Sequence, residues 1–404
     1  MVGRRYLGAR EAAAELGVSL PTLYAYVSRG LIRSEAAGGR RRRYRAEDIR
    51  RLKERKERRR DPEKAVEGAL SWGTPVMESG ITLITEDGLF YRGRSAVGLS
   101  RRCSIEEVAA LIWVGDPSAA GELFVSDGPS VPERVRELVE GDPELPPLEA
   151  LQAALPLAAA GDPAAYDLRP GSVARAGARI VRLMAAVVSG RVRPSDSVAG
   201  TLTGGWGIGG ERARSLVEAA LVLCADHELP VSTFAARCAA SSGATPYAAV
   251  SAGLAAFGGS RHGGVLYLVE SFLREVEAVG DAREVIGARL RRGDGVPGFG
   301  HSLYPAGDPR GAELLRRVAG GWPGSPAVRL AETVVREVGE LVGERPTVDF
   351  GLVILARALG LPPGGAVALF AVGRAVGWVG HAIEQYRSGA LIRPRARYAG
   401  EPPR

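Results

Sequence analysis

The chain contains four histidines, and each lies among glycines or polar residues. An imidazole donates, accepts or holds a proton near neutral pH, so histidines in such settings point to acid–base or hydrogen-bonding chemistry. Arginines near them would bind carboxylates through paired hydrogen bonds. A single histidine is more often structural than functional, whereas four with distinctive neighbours favour a joint interpretation. The four are His227, His262, His301 and His381.

The segment around His301 has the composition of a loop that binds an acidic substrate. Glycines on both sides of Phe299 allow a backbone to come close to a ligand. The imidazole can donate to an oxygen, and Arg310 can bind a carboxylate. A glycine-rich turn around a buried histidine is the alternative. The residue order, Val296-Pro297-Gly298-Phe299-Gly300-His301 and then Asp308-Pro309-Arg310, closely resembles the signature of the citrate synthase family.

Further motifs of this family follow in the same order over about residues 68–400. One resembles the segment with the first catalytic histidine, and another resembles the catalytic aspartate motif. A third resembles a substrate-contacting histidine segment, and the C-terminal block supplies two arginines. The order makes a chance resemblance improbable. The stretches are Tyr91-Arg92-Gly93, Asp226-His227-Glu228, Gly259-Ser260-Arg261-His262-Gly263-Gly264, Arg345-Pro346-Thr347-Val348-Asp349-Phe350, Gly373-Arg374 and Leu391-Ile392-Arg393.

The resemblance implies condensation of acetyl-CoA with oxaloacetate. The acetyl methyl group is a very weak acid, so a base must remove its proton while an enol-like intermediate is stabilised. By resemblance, Asp349 is the base, His262 stabilises the enol and His301 polarises the ketone. His227 and three arginines would hold the two carboxylates of oxaloacetate, and a loop would shape the site of the CoA adenine. The arginines are Arg310, Arg374 and Arg393, and the loop residues are Val296, Gly298, Phe299 and Gly300.

Mainly helical elements must position these residues. Alanine, leucine, valine, glutamate and arginine dominate, with Gly/Pro breaks at helix length. Two β-like runs, 81–85 and 88–91, predict one hairpin. The resemblance implies a nearly all-helical body over residues 68–404, with a large domain and a small domain at roughly 265–352 that closes to exclude water.

The family forms homodimers, and the resemblance implies that Arg393 reaches the active site of the partner subunit. His381 has a weaker functional case. It comes seven residues after Arg374 on the same helical face, so we expect it to serve core or dimer packing. We expect no metal and no bound cofactor, because the CoA thioester enters as a substrate.

Residues 1–60 predict a separate winged helix-turn-helix module. A helix over 6–16 ends at Gly17, Ser19 can cap a second helix over 21–29, and two strands around Gly38-Gly39 would form the wing. The pattern resembles the MerR and excisionase-like families, which implies a double-stranded DNA partner. A protein-contact module is the alternative. The candidate DNA contacts are Thr22, Ser28, Arg29, Arg41, Arg42 and Arg43.

The charge distribution favours an anionic partner for this module alone. The first 64 residues carry 19 lysines and arginines against nine acidic residues, whereas the rest carries 34 against 37. A basic module joined to a mildly acidic body is typical of polyanion binding, although a soluble basic tail has the same charge. The charged stretch before Pro62 and residues 61–67 are expected to form a linker.

Composition favours a cytoplasmic protein. The three cysteines have neither metal-ligand nor disulfide spacing, which suits a reducing compartment. The N-terminus lacks the apolar core of a signal peptide. We expect no membrane-spanning segment, because the longest apolar runs are interrupted, for example by Arg374 and His381.

Two questions of function stay open at this stage. The chain is either a working synthase with a DNA- or partner-binding appendage, or a transcription regulator whose synthase-like body senses oxaloacetate, citrate or an acyl-CoA. The complete set of catalytic candidates favours the enzyme, and the fused module favours the regulator. Departures from the family pattern also leave propionyl-CoA, and hence 2-methylcitrate, open. They are Arg261, Val265, Leu266 and Ser302.

Overall fold

The computed structural model divides the chain into two units, Met1–Glu78 and Ser79–Arg404. Each unit has a hydrophobic core of its own. The stretch predicted as the linker, 61–67, lies outside the described residues. The structure describes residues 6–28, 31–36, 42–45, 48–49, 52, 77–85, 88–125, 131–191, 197–396 and 398–401.

The first unit contains the two predicted helices with a tight turn between them. Gly17 ends the first helix in the left-handed conformation, at φ 60°. Ser19 Oγ accepts from the backbone N–H of Thr22 at 3.4 Å, as a helix cap does. Leu16, Leu23 and other apolar side chains close a small core. The elements are β1 (Tyr6–Gly8), α1 (Ala9–Leu16), α2 (Leu20–Ser28), β2 (Ser34–Ala36) and β3 (Arg42–Arg45).

The wing of this unit differs from the prediction at one strand. β3 pairs antiparallel with β2, as expected, and also with β1 on its other side. The prediction of helix from residue 6 was therefore wrong for residues 6–8. Gly8 is the N-cap of α1, and its backbone N–H donates to Glu11 Oε2 at 2.8 Å. Residues 6–8 are extended because they pair with β3.

The second unit is mainly α, which confirms the predicted fold class. Five of its helices begin on proline, whose fixed φ suits the first turn. The described helices are α3 (Ala96–Leu99), α4 (Ile105–Val114), α5 (Ala120–Leu123), α6 (Glu133–Gly141), α7 (Pro147–Ala160), α8 (Pro170–Val188), α9 (Val198–Gly205), α10 (Glu211–Cys224), α11 (Val231–Ser241), α12 (Pro246–Phe257), α13 (Val265–Val279), α14 (Ala282–Arg291), α15 (Pro309–Gly321), α16 (Pro326–Val342), α17 (Val348–Leu359) and α18 (Gly365–Ser388).

The predicted hairpin is present in this unit. β4 (Thr82–Thr85) pairs antiparallel with β5 (Gly88–Tyr91), and a short β6 (Arg94–Ser95) adds a third strand. The hydroxyl of Tyr91 contacts the backbone oxygens of Leu223 and Asp226, both at 3.2 Å. The hairpin therefore supports the end of α10, where the first candidate histidine follows.

Helix α18 is the central element of the core. It packs against α8, α10, α11 and α12. By length and composition α18 could cross a membrane, so the expectation that Arg374 and His381 interrupt it too strongly was wrong. Its apolar window is nevertheless wholly buried within the protein.

Three glycines allow α18 to approach its neighbours closely. A Cβ atom on Gly373 or Gly377 would collide with the backbone at the end of α10, and one on Gly380 would collide with Ile112 of α4. These glycines are four and three residues apart, so they share one face of the helix. Through that face α18 packs closely against the end of α10, which Tyr91 of β5 also contacts.

Five helices, α13 to α17, form a group of their own over residues 265–359. Helix α17 packs against α13, α15 and α16, and α14 packs against α13 and α16. The group occupies the segment that we predict to be the small domain. Its limits and its movement stay predictions.

Two glutamates cap the starts of helices in the interior of the second unit. Glu106 is buried, and its Oε1 accepts from the backbone N–H of Val198 at 2.7 Å. Glu218 Oε1 accepts from the backbone N–H of Ile105. Burial, and then the charge of Glu106, raises the pKa of Glu218 to about 8.

This raised pKa predicts a pH-dependent stability. Between its ordinary value near 4.5 and about 8, Glu218 holds its proton in the folded state and loses it in the unfolded state. Stability should therefore fall as pH rises through that window. Glu218→Gln keeps an acceptor for Ile105, so we expect its Tm to exceed that of wild type by about 2 °C or more at pH 8 and to match it at pH 4.

Thermal unfolding between pH 4 and pH 9 measures this difference. Glu211→Gln, at the exposed start of the same helix, is the control and should show no such pH dependence. A Glu218→Gln difference that stayed constant over the whole range would contradict the prediction.

Candidate active site

Two histidines and a tyrosine contact one another where α10 ends and α15 begins. His227 Nε2 lies 2.9 Å from the Tyr304 hydroxyl. The rings of His227 and His301 are 5.4 Å apart, centroid to centroid. Burial, and then the positive charge of Arg310, holds the pKa of His227 well below its ordinary value. These imidazoles are therefore neutral hydrogen-bonding groups near neutral pH.

A strained turn presents His227. The next residue, Glu228, has φ 59°, a left-handed conformation that non-glycine residues rarely adopt. The buried Asp226 holds the turn, because its Oδ2 accepts from the backbone N–H of Glu228 at 3.1 Å. His381 Nε2 lies 3.4 Å from the same oxygen. Such strain is found mainly where function requires a fixed geometry.

A backbone contact fixes the tautomer of His301. The backbone N–H of Leu303 donates to His301 Nδ1 at 3.2 Å, so in the neutral ring the proton is on Nε2. Burial, and then the charge of Arg310, lowers the pKa of His301. His301 is therefore suited to donate from Nε2 to a substrate oxygen.

His262 lies in the turn between α12 and α13 and contacts α11 and α18 through a serine. Its Nε2 is 2.7 Å from Ser232 Oγ, which accepts from Trp378 Nε1–H at 3.2 Å. We assign the hydroxyl proton to His262 Nε2, which leaves the ring proton on Nδ1. Burial, and then the charge of Arg374, lowers the pKa of His262 to about 3. The ring is thus a neutral donor.

Loss of the serine hydroxyl should impair this donor. We expect Ser232→Ala to lower kcat about tenfold with little change in the KM for oxaloacetate, because His262 loses its fixed tautomer and orientation. Ser241→Ala is a matched control, since Ser241 is on the same helix and donates to the Cys238 carbonyl. Steady-state kinetics of both variants test the prediction. An equal loss of kcat in the two variants would contradict it.

Arg310, the second residue of α15, is buried in a complete ion pair. Its Nε and Nη2 donate to the two carboxylate oxygens of Asp308 at 3.0 and 2.9 Å. Asp308 also accepts from the backbone N–H of Val348 at 2.9 Å. Both side chains of the pair are almost fully inaccessible to solvent. The pair therefore joins the start of α15 to the start of α17.

Arg374, in the middle of α18, is equally buried but lacks an acidic partner in the described part of the chain. Its Nε donates to the Cys224 carbonyl at 2.8 Å, and its Nη2 has no hydrogen-bond partner. Burial lowers the pKa of Arg374. A buried guanidinium left in this state is unfavourable unless a ligand pairs with it. The feature indicates a site for an anion.

Asp349 occupies the second position of α17. Thr347 Oγ1 lies 3.1 Å from Asp349 Oδ2 and also 3.1 Å from the Gly298 carbonyl oxygen. The hydroxyl has one proton, so it can donate to only one of them at a time. Burial raises the pKa of Asp349, and the charge of Arg310 opposes that shift. A carboxylate in this state is a stronger base than one in water.

The glycine-rich loop is fastened to the segment before Asp349. Gly298, at φ 82°, accepts from the backbone N–H of Thr347 at 2.8 Å, and Gly300 donates to the Arg345 carbonyl at 3.0 Å. Val296 and Phe299 are buried, and Phe299 packs on Phe350 with ring centroids 4.8 Å apart. In this structure the glycines thus accommodate the chain itself. Their predicted contact with CoA stays a prediction.

The remaining predicted residues lie elsewhere. Arg393 is exposed in the irregular C-terminal segment, and its predicted role in a partner's site is untested. His381 is fully buried, and its Nδ1 lies 3.3 Å from Arg237 Nη1. In the first unit, Thr22 Oγ1 contacts Ser19, Ser28 Oγ donates to the Ala25 carbonyl, and Arg42 and Arg43 are exposed on β3. Arg29 and Arg41 lie outside the described residues.

Sequence reasoning assigned no role to several side chains that complete the site. Asp308 stood within the quoted motif, Tyr304 stood three residues after His301, and Ser232 stood five residues after His227. Asp308 precedes Arg310 by only two residues, and this spacing could have indicated that the two form an ion pair. No local pattern could have indicated that Trp378 and Ser232, far apart in sequence, meet at His262.

Comparisons with known proteins identify the family of each part of the chain. A family model described as "Citrate synthase, C-terminal domain" matches residues 69–395, and one described as "Helix-turn-helix domain" matches residues 6–57. "Citrate synthase" of Haloferax volcanii is 32% identical over 367 residues, covering 81% of this chain and 94% of its own length. "2-methylcitrate synthase 1" of Corynebacterium glutamicum is 26% identical, covering 83% and 95%.

Solved structures show the same fold. The crystal structure of citrate synthase from Pyrobaculum aerophilum superposes with a TM-score of 0.73 at 27% identity, over 81% of this chain and 91% of that one. The citrate synthase of Thermotoga maritima gives a TM-score of 0.71 at 25% identity, over 81% and 94%. The match to the citrate synthase family model, over residues 69–395, includes every histidine, arginine and aspartate of the candidate site. With a helix-turn-helix domain at its N-terminal end, the chain belongs to the citrate synthase family.

Proposed function

We propose that the chain catalyses the condensation of acetyl-CoA with oxaloacetate, giving citrate and CoA. In this acyl transfer the acyl group becomes an alkyl group of the product. The observation that carries the proposal is Arg374, a buried guanidinium that forms no ion pair among the described residues, near two neutral histidines and the half-buried Asp349 carboxylate. A dianionic keto acid would supply the missing negative charge.

Each candidate group has a step that its environment suits. Asp349, whose pKa is raised by burial, takes a proton from the acetyl methyl group. His262 donates from Nδ1 to the thioester oxygen and stabilises the enol. The enol carbon then forms a bond to the ketone carbon of oxaloacetate, and His301 donates from Nε2 to the ketone oxygen. Hydrolysis of the citryl thioester then releases CoA.

Substrate binding is assigned to the remaining groups. Arg310, Arg374 and His227 would hold the oxaloacetate carboxylates, and the loop from Val296 to Gly300 would shape the CoA site. We further propose a cytoplasmic homodimer in which the exposed Arg393 completes the site of the partner subunit. Propionyl-CoA is the alternative donor, since one relative described above is named for 2-methylcitrate synthesis.

Release of free CoA by the purified protein tests the proposal. Oxaloacetate would be supplied with acetyl-CoA or with propionyl-CoA in parallel. Turnover with either donor establishes a synthase, and the donor with the higher kcat/KM identifies the product. Binding of oxaloacetate without turnover would favour a metabolite-sensing regulator.

The first unit supports a second function, DNA binding. Its helix-turn-helix match covers residues 6–57 of the unit, and Arg42 and Arg43 are exposed on the second strand of the wing. We propose that it binds double-stranded DNA, with the wing arginines on phosphates and α2 in the major groove. A dimeric body would then favour a repeated or palindromic site.

Replacement of the wing arginines should weaken DNA binding and its salt dependence. For Arg42→Gln/Arg43→Gln we expect a slope of log K against log salt that is smaller by about 2, because each lost phosphate contact removes about one released counterion. Fluorescence anisotropy with a labelled mixed-sequence duplex measures the slope. The control is Arg291→Gln/Arg292→Gln, which changes two consecutive exposed arginines of the second unit. The same slope in wild type and the wing variant would contradict the assignment.

A further inference from the structure

The side chain of Tyr304 lies among groups that the proposed function assigns to oxaloacetate, although the proposed reaction gives Tyr304 itself no role. It follows His301 by three residues and is buried. Its ring centroid lies 4.9 Å from that of His301 and 5.6 Å from that of His227. The central carbon of the Arg310 guanidinium lies 5.5 Å from the same centroid. One phenol therefore packs against three of the groups that would act on the substrate.

Backbone hydrogen bonds on both sides of Tyr304 fix the position of the residue. The N–H of Tyr304 donates to the His301 carbonyl at 3.0 Å, and the Tyr304 carbonyl accepts from the N–H of Gly307 at 2.9 Å. Gly307 has φ 115°, a conformation that favours glycine. The phenol is therefore in place before a substrate arrives, so binding loses little side-chain entropy there.

A buried hydrogen bond joins the Tyr304 hydroxyl to His227. Oη and Nε2 are 2.9 Å apart, and either atom can supply the proton. Burial raises the pKa of Tyr304 to about 12 and holds the pKa of His227 well below its ordinary value, so both groups are neutral near pH 7. A phenol releases a proton near pH 10 or above, whereas a neutral imidazole accepts one only below about pH 6.5. We therefore assign the shared proton to the phenol, with Nε2 as the acceptor.

This assignment determines what His227 presents to a ligand. If Nε2 accepts, the ring proton of the neutral imidazole is on Nδ1. Within the described part of the chain, Nδ1 takes part in no hydrogen bond. An Nδ1–H group donates to an oxygen of an anionic substrate. The other tautomer would present a lone pair to that oxygen and would repel it.

We propose that Tyr304 is a positioning residue for oxaloacetate binding, whose hydroxyl holds His227 in the tautomer that donates from Nδ1 to the substrate. The proposal rests on the proposed function and adds a residue that does not itself touch the substrate. Asp226 and the left-handed Glu228 fix the backbone at His227, whereas Tyr304 fixes the rotation and the tautomer of its ring. Loss of the hydroxyl reduces the fraction of protein that can bind, and so weakens the apparent affinity.

Steady-state kinetics of Tyr304→Phe measure the effect on the reaction. The substitution removes one oxygen atom and keeps the ring contacts with His301 and Arg310. We expect the KM for oxaloacetate to rise about tenfold with kcat nearly unchanged, as for a loss of binding shared by ground state and transition state. Tyr247→Phe is the matched control, because its buried hydroxyl contacts Asp162 at 3.0 Å, outside the site. An unchanged KM in Tyr304→Phe, or an equal rise in the control, would overturn the proposal.

A double-variant cycle with His227→Gln shows whether Tyr304 acts through His227. Calorimetry gives the Kd for oxaloacetate of each single variant and of the double variant. If the hydroxyl acts only through His227, its removal should weaken binding no further once His227 is replaced. Additive losses would mean that Tyr304 contacts oxaloacetate directly, and they would overturn the positioning role.

Nitrogen-15 NMR of the unliganded, histidine-labelled protein observes the tautomer directly. The chain has only four histidines, and His227→Gln identifies the signals of His227. We expect a protonated Nδ1 and an unprotonated Nε2 in wild type and in Tyr247→Phe, and a mixture of both tautomers in Tyr304→Phe. A proton on Nε2 in wild type, or the same tautomer in Tyr304→Phe, would overturn the proposal. These spectra need no substrate, so a failure of oxaloacetate to bind would refute the proposed function without affecting them.

Discussion

Asp349→Asn is expected to lower kcat for CoA release by a factor of about 10²–10⁴, the usual contribution of a positioned general base. The asparagine has almost the same shape as aspartate but cannot accept the methyl proton. Its amide oxygen can still accept from Thr347, which contacts Asp349 at 3.1 Å. The loss should therefore be confined to the chemical step, with the Kd for oxaloacetate close to that of wild type.

Kinetics, calorimetry and thermal unfolding of this variant together test whether the loss is confined to the chemical step. Burial raises the pKa of Asp349, so ionisation is unfavourable in the folded protein, and the neutral amide should not lower Tm. Retained turnover in Asp349→Asn would remove Asp349 as the base. A collapse of Tm would contradict the claim that the substitution is structurally neutral.

The two buried arginines should respond in opposite ways to the same substitution. Arg374 forms no ion pair among the described residues and its Nη2 lacks a hydrogen-bond partner there, so Arg374→Gln should leave the unliganded protein at least as stable as wild type. Arg310→Gln leaves Asp308 buried without its cation, and we expect a loss of about 3–5 kcal/mol in the free energy of unfolding. Both variants should weaken oxaloacetate binding about 100-fold, because each loses charged contacts to a carboxylate.

Urea unfolding without ligand and calorimetry with oxaloacetate measure the two effects. The double variant Asp308→Asn/Arg310→Gln separates them further. Removal of both charges should restore part of the stability lost in Arg310→Gln without restoring the affinity. Similar stability losses in Arg374→Gln and Arg310→Gln would show that the buried charge of Arg374 is compensated in the unliganded protein, against the present description.

Motifs and periodicity predicted the helical class, the hairpin and both helices of the first unit. These features depend on local signals: apolar spacing, glycine and proline breaks, and a serine cap. The start of α1 was wrong because β1 is extended by pairing with β3, a contact of distant residues that no local pattern encodes.

The sequence predicted which residues belong to the candidate site but not which of them contact one another. Family motifs identified His262, Arg310 and Arg374, yet they did not indicate which of the two arginines is already paired. That difference depends on Asp308 and on the burial of Arg374 within α18, both of which follow from packing. The left-handed turn at Glu228 was missed for the same reason.

The close approach of α18 to its neighbours has a consequence for how this chain can diverge. One inserted or deleted residue in an α-helix rotates everything beyond it by about 100°. In α18 such a change between Gly373 and Gly380 would turn a glycine out of contact and bring a side chain against α4 or α10. Selection should therefore remove insertions and deletions from this helix, whereas surface loops should tolerate them. Even distant descendants of this gene should align across α18 without a gap.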